Sequence, residues 1–213
     1  SDASTHRRGQ ASISQRFGSD MALCLGDWMI AKAFELAARN STHSGQLVAL
    51  LAGAMQETCS GQIADIDQRM YAPISDWQRI AKNKTAPLLI APIKGAAICA
   101  GLDSHASNID ALVEFCGLAY QGRNDIDDIV PSSHLSSDLH GRKPNLVVSI
   151  FANLETTDIQ AFKQWYCSID QHQTNIWQKR IASSEAILHA NQRVESWLAQ
   201  AENLMPNIPH QLQ

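Results

Sequence analysis

Apolar residues recur at helical spacing along almost the whole chain, and no Asn-Gly or Asp-Gly turn separates alternating runs that could pair as strands. That pattern restricts the chain to an all-α architecture. The strongest case runs from Asp20 to Asn40, where Met21, Leu23, Leu25, Trp28, Met29, Ile30, Phe34 and Leu36 cover nearly the full circumference. Such a helix is expected to be buried on most sides. Further helices are expected at Gly45 to Asp67, Ser75 or Asp76 to Thr85, Asn108 to Val130, Thr157 to Cys167 and Asn175 to Gln200. Pro87 and Pro92 predict a break or kink before the small-residue stretch Gly95 to Gly101. Pro131 to Pro144 is a loop dense in Ser, His and Gly, and the tail after Met205 is expected to fray. These elements describe a bundle of about seven helices in one domain spanning residues 1–213.

Charge and composition remove several functional classes. Lys+Arg number 17 against 21 Asp+Glu, a formal charge of −4, and no basic stripe exists to neutralise a run of phosphates, so nucleic acid is not an expected partner. The most apolar window, Thr85 to Leu102, is interrupted by Pro87, Pro92 and Lys94 and falls short of the roughly 20 apolar residues of a membrane span. No secretory leader is in view. Cys24, Cys59, Cys99, Cys116 and Cys167 are odd in number, widely spaced and set among Leu, Ala and Ile. They read as buried thiols in a reducing, cytoplasmic compartment. The histidines show no zinc-pair spacing, and Trp28, Trp77, Trp165, Trp177 and Trp197 read as core or groove packing.

The chemistry concentrates between Gly117 and Asp128. Asn124, Asp127 and Asp128 are separated by three and four positions and share one helical face, with Asp125 about 100° round from Asn124. Acidic groups this close repel one another unless a cation sits among them, and Mg²⁺ is commonly held by one or two carboxylates plus substrate phosphates. A solvated acidic helix end is the plain alternative. Arg7-Arg8-Gly9 offers paired guanidiniums for phosphate oxygens, Lys84-Thr85 a cation beside a hydroxyl, and Lys143 a further cation in the Ser-rich loop.

In this order the elements resemble the trans-prenyl diphosphate synthases, the polyprenyl synthetases of the isoprenoid (terpenoid) synthase fold. Arg7-Arg8-Gly9 with Phe17-Gly18 is similar to the family's R-R-G stretch, and Leu25-Gly26-Asp27 with Ala33-Phe34 to its L-x-G-D…A-F helix. Gly61-Gln62-Ile63-Ala64-Asp65 resembles G-Q-x-x-D, and Lys84-Thr85-Ala86-Pro87-Leu88 resembles K-T-A-x-L. Gly117 to Asp128 resembles the second aspartate-rich motif, G-x-A-F-Q-x-x-D-D-x-x-D, and Asp138-Leu139 with Lys143 the D-L-x-x-G-K loop. The match covers about Asp2 to Leu146; the C-terminal third adds helical pattern alone.

The resemblance implies the C-terminal portion of an isoprenoid synthase bundle. It implies a Mg²⁺-dependent transferase that ionises an allylic diphosphate and joins the cation to isopentenyl diphosphate, in a dry cavity. Carried over, Asn124, Asp125 and Asp128 would be metal ligands. Lys84 and Lys143 would neutralise the allylic diphosphate, with Gln121 beside it. Arg7 and Arg8 would contact the diphosphates, while Gln62 and Thr85 would line the reaction centre. Asp65 would orient its neighbours. Asp2 would be the last aspartate of the first metal motif, so the chain would begin inside that motif and lack the helices that carry the isopentenyl diphosphate site. Family members are homodimers, and a partner chain or the absent segment is expected to cover the Met21–Ala38 helix. Two departures stand out: Asn124 stands at the leading aspartate, with Asp127 on the same face in place of an apolar residue, and the family's N-terminal helices are missing. A class I terpene cyclase, a non-catalytic regulatory subunit on the same fold, and an unrelated helical bundle remain open alternatives.

Overall fold

The computed structural model describes residues 6–7, 10–67, 73–102, 106–130, 135–154, 159–168 and 172–208. In chain order the elements are β1 (His6–Arg7), β2 (Gln10–Ala11), α1 (Ile13–Phe17), α2 (Ser19–Ala38), α3 (Ser44–Asp67), α4 (Ile74–Ala100) and α5 (Ala106–Ile129). They continue with α6 (Ser137–Gly141), α7 (Leu146–Phe151), α8 (Ile159–Cys167), α9 (Thr174–Ala182) and α10 (Ala186–Leu204). The helical class expected from the periodicity holds. The antiparallel β1–β2 ribbon, with His6 opposite Ala11, is a small addition to it.

The chain divides into two compact units, residues 1–51 and 52–213. In the first, Ser12 caps α1 by accepting from the Gln15 amide at 3.2 Å, and Gly18 turns the chain into α2 at φ +88°. Backbone at that angle suits a residue with no Cβ. α2 contains no buried residue: Leu23 is 67% exposed and Trp28 62%. This corrects the expectation of a helix covered on most sides. Within the unit the five-residue α1 packs on α2, too short a neighbour to cover a helix that is apolar all round.

In the second unit, the pairs Trp77–Asp125, Ala86–Gly117 and Lys94–Asp110 run in opposite order along α4 and α5, which are therefore antiparallel. α10 lies along α5, and a Cβ on Gly122 would come within 2.9 Å of Val194 Cγ2 and 3.3 Å of Trp197 Cζ3. The six residues of α7 are all buried, and Asn145 caps the helix by accepting from the amides of Val147 and Val148. Around this centre Trp77 stacks on Trp197 at 5.7 Å, and Phe162 meets Phe151, Tyr166 and Trp177 with ring centroids 5.1–5.3 Å apart. Four of the tryptophans thus pack in the core as expected, while Trp28 does not.

Three local expectations fail. α4 runs unbroken through Pro87 and Pro92. Burial of Ala86, Pro87 and Ala91 outweighs the two lost amide donors. The helix expected from Asn175 to Gln200 divides at Ser183 and Ser184, whose hydroxyls donate to the carbonyls of Arg180 and Ile181 at 3.1 and 2.7 Å and so favour a turn. The five cysteines are exposed, not buried as expected.

α3 crosses α4 at Gly61, where an added Cβ would fall 2.5 Å from the Lys84 nitrogen and 2.6 Å from the Asn83 carbonyl carbon. Both atoms are backbone and cannot rotate away. Gly53, in the same helix, has open space around it. Gly61→Ala is therefore expected to destabilise by about 1–3 kcal/mol, whereas Gly53→Ala should stabilise by about 0.5–1 kcal/mol. Urea unfolding of both variants checks the opposite signs, and a neutral Gly61→Ala would contradict the close crossing.

Candidate active site

The Gly61 crossing sets Gln62 and Asp65 against the start of the proline segment of α4. Asp65, buried, accepts from Lys84 Nζ at 3.2 Å and from Gln62 Nε2 at 3.3 Å. Both lysine and glutamine are thereby oriented by one carboxylate, the role expected of Asp65. Thr85 follows at a half-buried position.

One helical turn of α5 carries the acidic cluster, and its members face different surroundings. Asp125 is 1% exposed. Its Oδ2 accepts from Trp77 Nε1 at 2.7 Å and from the Leu146 amide at 2.6 Å, and its Oδ1 accepts from Gln121 Nε2 at 2.8 Å. Burial, and then repulsion from Asp138, push its carboxyl up to about 7 despite those three donors. Asp128 is half-buried and accepts from Ser136 Oγ, from Ser137 N and Oγ at 3.0 Å each, and from Asp138 N at 3.2 Å. Asn124 and Asp127 are exposed.

Asp138 stands at the start of α6, where Asn145 Nδ2 donates to it at 3.1 Å while also reaching the Asp125 carbonyl at 3.2 Å. Burial and the neighbouring Asp128 raise its carboxyl to about 6. Lys143 and Lys84 both lie near enough to favour the charged form. The charges of two lysines from separate elements thus act on one carboxyl. Asp138 and Asn145 were not singled out as site residues by the sequence, although Asp138 lies in the D-L-x-x-G-K segment.

The three expected metal ligands, Asn124, Asp125 and Asp128, face different surroundings. A carboxylate has about four lone-pair sites; those of Asp128 meet four donors, and Asp125 is turned into the interior. Among the described residues no three His, Cys, Asp or Glu side chains converge as a metal site. The oxygens of the motif left facing solvent belong to Asn124 and Asp127, one turn apart. That pair fits a Mg²⁺ ion that takes its remaining ligands from water and a diphosphate, and does not fit an all-protein cage. Asp2 and Arg8 lie outside the described residues, as does the side chain of Arg7, whose backbone lies in β1.

Comparison with known proteins follows the same outline. The polyprenyl synthetase family matches residues 1–182. The chain is 28% identical over 158 residues to a short chain isoprenyl diphosphate synthase of Methanocaldococcus jannaschii, covering 69% of this chain and 48% of that protein. It is 31% identical over 159 residues to a (2E,6E)-farnesyl diphosphate synthase of Mycobacterium bovis, covering 70% and 44%. The chain thus spans about half the length of the curated relatives it matches. Among solved structures, a heptaprenyl diphosphate synthase of Staphylococcus aureus superposes with a TM-score of 0.84 at 21% identity, over 98% of this chain and 67% of that one. A decaprenyl diphosphate synthase of Rhodobacter capsulatus gives 0.84 at 18% identity, over 99% and 68%. The fold is the all-α isoprenoid synthase fold.

The buried carboxyl has a measurable signature. An aspartate whose native pKa is about 7 against an ordinary 3.8 binds more protons folded than unfolded between those values, so its contribution to stability falls as pH rises through that window. Asp125→Asn removes the slope. The Tm of the variant relative to the parent is expected to climb from about pH 4 to about pH 7 and to level off above that. A difference that stays constant with pH would mean that the carboxylate is ionised throughout.

Proposed function

The chain belongs to the polyprenyl synthetase family, and we propose that in the whole protein it forms the allylic-diphosphate half of a Mg²⁺-dependent prenyltransferase. The reaction condenses an allylic prenyl diphosphate with isopentenyl diphosphate. The allylic C–O bond breaks and releases diphosphate, a C–C bond forms to the isopentenyl double bond, and a proton leaves the resulting cation. The observation that carries this reading is the pair of lysines near the acidic end of α5: Lys84 is held on Asp65 at 3.2 Å, and the backbone amide of Lys143 is bonded to the Asp138 carbonyl at 2.9 Å. Two ammoniums so placed suit the charge that develops on a departing diphosphate.

Each residue then has a task. Lys84, oriented by Asp65, and Lys143 neutralise the diphosphate. Gln121 and Thr85 flank it, and Gln62 lines the reaction centre. Arg7 and Arg8 contact the diphosphates, and Asp2 belongs to the first metal motif. Asn124 and Asp127 present oxygens to Mg²⁺, which supplies Lewis-acid stabilisation of the leaving group. Asp125 and Asp128 support the site from behind, through Gln121 and the 136–138 backbone. No helix of the described residues is long and apolar enough to cross a membrane. Five widely spaced cysteines suit a cytoplasmic location. A homodimer would cover the exposed apolar side chains of α2.

Asn124 at the leading metal position favours a second reading, a class I terpene cyclase, and the engagement of Asp125 and Asp128 by protein donors favours a third, a non-catalytic subunit. Incubating the whole protein with Mg²⁺, an allylic diphosphate and isopentenyl diphosphate separates them. A longer prenyl diphosphate is expected, and Lys143→Ala should lower kcat/KM by about a hundredfold. Hydrocarbon or terpene alcohol formed from the allylic substrate alone would favour the cyclase. No turnover, together with no rise in Tm on adding Mg²⁺ and pyrophosphate, would favour the non-catalytic subunit.

A further inference from the structure

The segment from Ser136 to Asn145, which carries Asp138 and Lys143, is fastened by residues from the C-terminal third, where no motif was found. At its start, the Ser136 amide donates to Gln178 Oε1 at 3.0 Å, while Gln178 Nε2 donates to the Ile129 carbonyl at 3.3 Å. At its end, the Arg142 guanidinium lies 3.9 Å from the centroid of the Trp165 ring and 5.2 Å from that of Tyr166. Its Nη1 donates to the Leu139 carbonyl at 2.7 Å. Lys143 follows directly, with its amide on the Asp138 carbonyl at 2.9 Å and its carbonyl receiving the Tyr166 hydroxyl at 3.1 Å.

Arg142 has a left-handed backbone, with φ 54° and ψ 37°. Among the described residues it is the non-glycine residue at positive φ, and it occupies the glycine position of the D-L-x-x-G-K pattern. Glycine would hold this turn with less strain. The side chain present instead is engaged with two aromatic faces and a carbonyl, all of them within the loop or the helix that backs it.

We propose that Arg142 is a positioning residue, whose stack on Trp165 and bond to Leu139 hold Lys143 and Asp138 against the acidic end of α5 and tighten binding of the allylic diphosphate. The role rests on the transferase reading given above. Arg142 acts through the backbone: the planar guanidinium lies on the indole, α6 is pinned through Leu139, and the ammonium of the next residue is aimed as a result.

The test uses the whole protein and two variants. Arg142→Gly removes the side chain and relieves the turn. Arg142→Lys keeps a cation and a Cβ but loses the planar stack, and so separates loss of the stack from the added freedom of glycine. Calorimetric titration with pyrophosphate in Mg²⁺ is expected to show affinity falling about tenfold in both variants. Amide hydrogen exchange at residues 136–146 should accelerate while α10 keeps its protection. In the steady state, KM for the allylic diphosphate should rise more than kcat falls. Parent-like pyrophosphate affinity in Arg142→Lys or in Arg142→Gly overturns the role of Arg142 while leaving the transferase reading intact. A parent protein that binds no pyrophosphate overturns that reading and the role of Arg142 with it.

Discussion

Asp125 is the joint on which the second unit turns. A carboxylate with 1% exposure is unfavourable unless donors surround it, and the donors here come from α4, α5 and the first residue of α7. Satisfying one buried group therefore fixes three elements at once. The amino end of α7 adds a favourable potential for negative charge, and Asn145 extends the network by capping α7 while reaching both Asp125 and Asp138. Fold and site share these atoms. The indole that helps form the core through Trp197 also holds the carboxylate behind the acidic helix.

Helix class and most helix spans were legible because the signal is local: α3 and α5 begin and end within two residues of where the periodicity put them. Gly61 was legible as a motif glycine, and the structure supplies its reason, a close helix crossing; Gly117, also in a motif, would carry a Cβ at ordinary contact distance from Ala86. What could not be read depends on distant partners. α4 continues past Pro87 because its face is buried, a fact that no property of residues 74–100 announces. α7 is five apolar residues and Ser149, fewer than two turns, too short for periodicity to register. The division of labour within the acidic cluster was also hidden. Helical spacing places Asp125 away from Asn124, but only Trp77, 48 positions earlier, and Leu146, 21 later, determine that it faces inward.

The contrast between the units follows from the same logic. Residues 52–213 hold a core of stacked and edge-on aromatics around α7. Residues 1–51 display apolar side chains on α2 at 39–67% exposure. A helix apolar on every side is stable in water only when neighbours cover it. The sequence of α2 thus leaves an apolar surface that its own unit does not cover, whereas the second unit buries an aromatic core of its own.

The fastening of the Asp138–Lys143 loop by Trp165, Tyr166 and Gln178 has a consequence for how the protein is born. A ribosome releases the motif-bearing helices first and these three residues later, so the nascent chain emerges with its lysine loop unanchored. The helix that carries the acidic motif can form early because its hydrogen bonds are local. The loop takes its shape only once α8 and α9 have left the exit tunnel, so it settles after the acidic helix and not together with it.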